Sequence, residues 1–141
     1  MTVTFFGHRD APEWLELKLK EVLCDLIENS GVGSFYVGNN GAFDRIVRSV
    51  LGELKLIYPH ISCTTVLAYM PTGERYDNFY AKDSILPQVV AGSHPRYAIC
   101  ARNKWMIDQS DLVITYVRRR YGGAARFRKM ALSNGKKLID L

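Results

Sequence analysis

The apolar positions of this chain alternate between two periods. Thr2 to Phe6 is a short β-rich run that ends at Gly7. Leu15, Leu19, Val22, Leu23, Leu26 and Ile27 then recur at helical spacing, with Lys18, Lys20, Glu21 and Glu28 between them. Pro12 suits the first turn of that helix and Asp10 its N-cap, while Gly31 and Gly33 stop it. Ser34 to Val37 reads as a second strand, closed by Gly38. Phe43, Ile46, Val47, Val50, Leu51, Leu54 and Ile57 form the clearest helical stripe, ended by Pro59. Ile61 to Tyr69 supplies a third, β-branched strand.

The stretch from Met70 to His94 breaks the pattern. It holds Pro71, Gly73, Pro87 and Gly92 and keeps no period, so it reads as a long excursion that covers a site, with a short helical turn near Tyr76 to Lys82. Pro95 opens a third helix through Gln109, and Asp111 to Val117 is a strongly apolar strand. After a loop from Arg118 to Gly123, Ala124 to Asn134 forms a fourth helix stopped by Gly135, and Lys137 to Leu141 a last short strand. Strand and helix thus take turns, and runs such as Leu112-Val113-Ile114 are apolar on both faces. That combination predicts an α/β fold with a mostly parallel, five-stranded sheet covered on both sides. No repeat, linker or second domain interrupts residues 1–141.

Composition narrows the class without choosing a function. With 48% hydrophobic and 23% charged residues the chain can bury a core and is not disordered. No apolar run approaches the roughly 20 residues that span a bilayer, and the first residues lack the basic region of a signal peptide. Cys24, Cys63 and Cys100 are odd in number and widely spaced, which suits a reducing cytoplasm better than a disulfide framework or a zinc site. The formal charge of +5 favours anionic partners, small phosphorylated molecules and nucleic acid alike. Homo-oligomerisation through helices is a further expectation.

Four segments stand where polar or glycine-rich residues meet this framework. Gly7-His8-Arg9-Asp10 follows the first strand. A glycine there permits a tight turn, exposed amides can hold an anion and Arg9 can add a bidentate contact, or the segment is a plain polar turn. Gly38-Asn39-Asn40-Gly41 follows the second strand, and Asp44 lies one turn into the helix, where it either binds ribose hydroxyls or complements the helix dipole. Arg102-Asn103 lies inside the third helix, on the flank of a core formed by Ala98, Ile99, Trp105 and Met106. Gly122-Gly123-Ala124 opens the last helix after the basic run Arg118-Arg119-Arg120, and its small residues let a phosphate approach. In an open parallel sheet such turns gather outside the carboxyl ends of the strands.

Other chemistries lack their signatures. There is no Gly-x-x-x-x-Gly-Lys-Ser/Thr loop, and Gly31-Val32-Gly33 precedes a strand rather than a helix. His8, His60 and His94 have no metal-ligand spacing, so neither metal nor cofactor is expected. No serine sits in a nucleophile elbow, and Cys100 reads as a core residue.

Together the four segments resemble the SLOG superfamily, a Rossmann-like group that includes LOG phosphoribohydrolases, the DNA-processing protein A family and small bacterial YspA- and YpsA-like proteins. Gly7 to Asp10 is similar to the glycine-arginine turn of the YspA-like members, and Gly38 to Asp44 to their glycine-rich turn with its aspartate. Arg102-Asn103-Lys104-Trp105-Met106 is similar to their Arg-Asn-x-x-Met signature, and Gly122-Gly123-Ala124-Ala125 to their second glycine motif. The resemblance spans nearly the whole chain and implies a single Rossmann-like three-layer domain that binds a nucleotide-derived ligand. It departs at one place. The hydrolases carry Gly-Gly-x-Gly-Thr-x-x-Glu, whereas this chain has Ala125 and Arg126 for the Gly-Thr pair and Lys129 for the glutamate. A cation cannot act as the general base.

A cytoplasmic binding or sensor domain is therefore the leading expectation. Gly7, His8, Arg9, Gly38, Asn39, Asn40, Gly41, Asp44, Arg102, Asn103, Gly122, Gly123 and Ala124 would form its site. The first alternative is an N-glycosidic hydrolase or transferase, with Asp44 the best catalytic candidate and Glu74 and Asp83 as outsiders. The second is single-stranded nucleic-acid binding.

Overall fold

A computed structural model describes residues 1–70 and 83–141. The elements run β1 (Thr2–Gly7), α1 (Leu15–Asn29), β2 (Ser34–Val37), α2 (Gly41–Ile57), β3 (Ser62–Val66), β4 (Ser84–Ile85), α3 (Gln88–Ala91), a 3-10 turn (Pro95–Tyr97), α4 (Ala98–Asp108), β5 (Leu112–Tyr116), α5 (Gly123–Ser133) and β6 (Lys137–Asp140). The strands form one sheet in the order β4-β3-β2-β1-β5-β6, with every pairing parallel.

This is a Rossmann-like three-layer fold. Because side chains alternate along a strand, β1 sends Val3 and Phe5 to one face and Phe6 to the other. The first face packs on α1 and α2 through Leu19, Leu23, Val47 and Leu51. The second packs on α4 and α5 through Met106, Ile107, Phe127 and Ala131. Phe5, Phe35 and Phe43 are at most 1% exposed, and burying each stabilises the fold by roughly 1.5–3 kcal/mol.

Connection geometry explains the two layers. From β1 the chain adds β2, β3 and β4 in one direction, then returns to place β5 on the opposite side of β1. Right-handed crossovers leading in opposite directions put their helices on opposite faces. The carboxyl ends of β1 and β5 therefore diverge into loops that leave a crevice, the topological switch point where ligands bind in open α/β sheets.

The sheet differs from the expected one in having six strands rather than five, all parallel. The sixth is β4, inside the stretch read as an excursion. With only two residues it can show no alternation, and pairing with β3 defines it: Thr65 N–H donates to Asp83 O at 2.9 Å and Leu67 N–H to Ile85 O at 2.8 Å. The four-residue α3 was likewise too short to leave a period. The helical turn expected near Tyr76 to Lys82 lies outside the described residues.

Helix starts also moved. α1 begins at Leu15, not near Pro12, and its N-cap is Trp14. Asp10 is not a cap; its carboxylate takes two hydrogen bonds from the Arg119 guanidinium, at 2.7 and 3.0 Å. Pro95 opens a 3-10 turn, capped by His94 Nδ1, before α4 proper. No described helix is long and apolar enough to cross a membrane.

The end of β1 packs closely on α2. A Cβ on Gly7 would lie 2.2 Å from Cγ of the buried Phe43 ring, so the glycine there is required by packing. Gly7→Ala should cost about 1–3 kcal/mol in urea denaturation. Combined with Phe43→Ala, the total cost should be less than the sum of the two single costs, because a side chain ending at Cβ removes the Cγ and ring carbons that the Gly7 Cβ would strike.

Candidate functional site

All four polar segments meet at the crevice. Gly7 and Arg9 from the turn after β1, Asn40 and Asp44 from the start of α2, Arg102 and Asn103 from α4, and Gly123 and Ala124 from the start of α5 line one cavity. Its floor and back are Phe5, Phe6, Ile99, Met106 and Phe127. Its volume is about 140 Å³. A buried cavity near 150 Å³ holds a benzene-sized guest, so this one admits a single ring-sized group and leaves the rest of a larger ligand at the mouth.

Arg102 organises the polar wall. Its residue is 2% exposed, although it is a cation on a helix. Nε donates to Asn103 Oδ1 at 2.8 Å, and Nη1 donates to Asn39 Oδ1 at 3.0 Å and to Val66 O at 3.4 Å. The ends of β2 and β3 are thus tied to α4. Burial lowers the guanidinium pKa, and the Asp44 charge opposes that shift. Asp44 shows the mirror effect: burial raises its carboxyl pKa, against the pull of the Asn40 N–H bond and of Arg102, Arg48 and Arg9.

Asp44 Oδ2 accepts from the backbone N–H of Asn40 at 3.0 Å. The carboxylate thereby shapes the turn as well as lining the cavity. Gly38 leaves room for both charges, because a Cβ there would lie 2.7 Å from Asp44 Oδ2 and 3.1 Å from Arg102 Nη1. Gly41 holds φ +90°, and a Cβ on it would strike Arg9 Cα at 2.9 Å. The Ala42 N–H donates to Arg9 O at 2.9 Å, which joins the turn after β1 to the start of α2.

The three candidate anion cradles are therefore unequal. After Gly38, the Asn40 and Ala42 amides are already engaged by Asp44 and Arg9. After Gly7, the Ala11 amide donates to His8 O. At α5, Gly122 holds φ +92° and ψ 176°, a backbone state almost confined to glycine, and it aims the first turn of the helix at the crevice. The Gly123 and Ala124 amides there have no hydrogen-bond partner among the described residues. With the exposed Arg9 opposite, they make the mouth electropositive.

Some expected site residues support rather than line the cavity. Asn39 and Gly38 act through Arg102, Gly41 through Arg9, and Gly122 through the direction of α5. His8 is 6% exposed and accepts a hydrogen bond at Nε2 from the Arg118 backbone N–H at 2.7 Å. Asp83 is not among the lining residues, and Glu74 lies outside the described residues. Asp44 is the one carboxylate lining the cavity among those residues.

Two features escaped the sequence. Arg102 and Asn103 are buried rather than flanking, while Ile99 and Trp105 are only partly buried. The apolar floor of Phe6, Phe127 and Met106 reads in sequence as ordinary core. A scan against protein-family models returns no match, and a search of curated proteins finds no significant relative.

Two alanine substitutions should separate a glycine required by packing from one with open space around it. Gly38→Ala should displace Asp44 and Arg102 and destabilise the protein by about 1–3 kcal/mol. A Cβ on Gly123 meets nothing within 4 Å, so Gly123→Ala should change stability by less than about 0.5 kcal/mol in the same denaturation assay.

Proposed function

We propose that the chain is a SLOG-like binding domain for a small, nucleotide-derived ligand carrying phosphate and ribose. One observation supports this most: segments near residues 7, 40, 102 and 123 line a common cavity at the topological switch point. The four motifs that resemble the superfamily supply every polar lining residue. Phosphate fits the mouth, against the α5 amides and Arg9. A ring-sized group fits the interior, where Asn40, Asp44 and Asn103 offer polar contacts above the phenylalanine floor.

The site has charge to hold a ligand but little with which to turn it over. Asp44 is engaged by the Asn40 amide. Lys129, at the place of the hydrolase glutamate, is exposed on α5 and does not line the cavity. Binding is therefore favoured over N-glycosidic cleavage. The hydrolase reading keeps one supporting fact, the presence of Asp44 in the cavity wall. It expects release of free base from nucleoside monophosphates, abolished by Asp44→Asn.

A thermal-shift panel of ADP-ribose, nucleoside mono- and diphosphates and their unphosphorylated counterparts tests the proposal. At least one phosphorylated member should raise the melting temperature at millimolar concentration. Arg9→Gln should leave the unliganded melting temperature unchanged and weaken that member at least tenfold, about 1.4 kcal/mol. No shift with any member counts against the proposal.

A further inference from the structure

Two loops that carry opposite walls of the cavity are joined outside it. The turn after β1 holds His8 and Asp10, and the loop between β5 and α5 holds Arg118 and Arg119. His8 Nε2 accepts the Arg118 backbone N–H at 2.7 Å, and Asp10 receives both arms of the Arg119 guanidinium. Neither His8 nor Asp10 lines the cavity, whereas Arg9 between them and Gly123 beyond the loop do.

We infer that His8 is a positioning residue for this site: through Nε2 it holds the β5–α5 loop against the turn after β1, and a second proton on the ring releases that hold. The effect on ligand affinity rests on the function proposed above; the hold itself does not.

The chemistry follows from the donor. A backbone amide can only donate, so Nε2 must present its lone pair and the ring is neutral with its proton on Nδ1. Protonation at Nε2 would set two N–H groups face to face. The surroundings oppose that proton as well. The imidazole is buried edge-on to the Tyr116 ring, whose centroid is 5.9 Å away, and faces Arg118 and Arg119 from the loop. Asp10, on its own turn, is the opposing carboxylate. Burial first, then Arg119 and Arg118, lower the His8 pKa from 6.5, and Asp10 only partly offsets them.

A lowered folded-state value means that the unfolded chain binds the proton more readily. The contribution of neutral His8 is therefore complete above about pH 6.5 and is lost as pH falls through the folded-state value. Asp10 does not titrate in that window, because the Arg119 guanidinium holds its carboxyl at about 2. Acidification thus releases the histidine contact while the ion pair remains. Gly122, one residue short of the cavity wall, closes this loop at φ +92° and ψ 176°.

Amide hydrogen exchange between pH 7.5 and 5 tests the inference on the full chain. After correction for intrinsic rates, protection of the Arg118 amide should fall severalfold on acidification. His8→Gln, whose side-chain oxygen can accept the same bond and does not titrate, should keep that protection at both pH values. Equal pH dependence in wild type and His8→Gln would overturn the inference. If the variant does not fold, nitrogen NMR of the unaltered protein decides, with the Nδ1–H form expected at pH 7.5 and the Nε2–H form overturning it. Loop protection that follows His8 when no nucleotide stabilises the protein would leave the hold standing and remove the proposed ligand.

Discussion

The buried guanidinium of Arg102 is the group on which the site depends. Taking a cation out of water costs several kcal/mol unless its donors are satisfied and a counter-charge is near. Here Asn103, Asn39 and the Val66 carbonyl accept from it, and Asp44 supplies the charge. Each partner comes from a different element, so satisfying one cation aligns the ends of β2 and β3 with α2 and α4. The arrangement also accounts for Gly38, where any side chain would push into the space shared by Arg102 and Asp44.

That alignment makes one wall rigid. Gly7 against Phe43, Gly41 against Arg9 and the Ala42 amide on the Arg9 carbonyl lock the turn after β1 to α2. The facing wall, at the start of α5, is held differently. Phe127, one turn into α5, packs it on Phe6, and the loop from β5 reaches the first wall through hydrogen bonds and an ion pair on its outer side.

Legibility in the sequence followed the length and regularity of each element. The stripe from Phe43 to Ile57 repeats over four turns and marks α2 almost to the residue, and β1, β2, β5 and β6 appear as short apolar or β-branched runs. The two residues of β4 and four of α3 left no pattern, because a period needs several repeats to exist. Asp10 illustrates a local rule overridden by a distant group. It has the chemistry of a cap, but Arg119, 109 residues away, takes its carboxylate. Arg102 likewise looks solvated by helical position and is buried because its acceptors come from two distant places in the chain, Asn39 and Val66, and from its neighbour Asn103.

Alternating apolar runs, with glycines and polar residues between them, were enough to specify a parallel α/β sheet and to mark its turns, because strand and helix periods and turn chemistry act over a few residues. The turn residues were visible for the same reason. Which of them line the crevice, which hold others in place, and which strand ends lie together arose only in the folded chain. Those outcomes depend on long-range burial and charge: whether an amide finds a partner, whether a Cβ would meet a ring, and whether a buried cation finds acceptors far away in sequence.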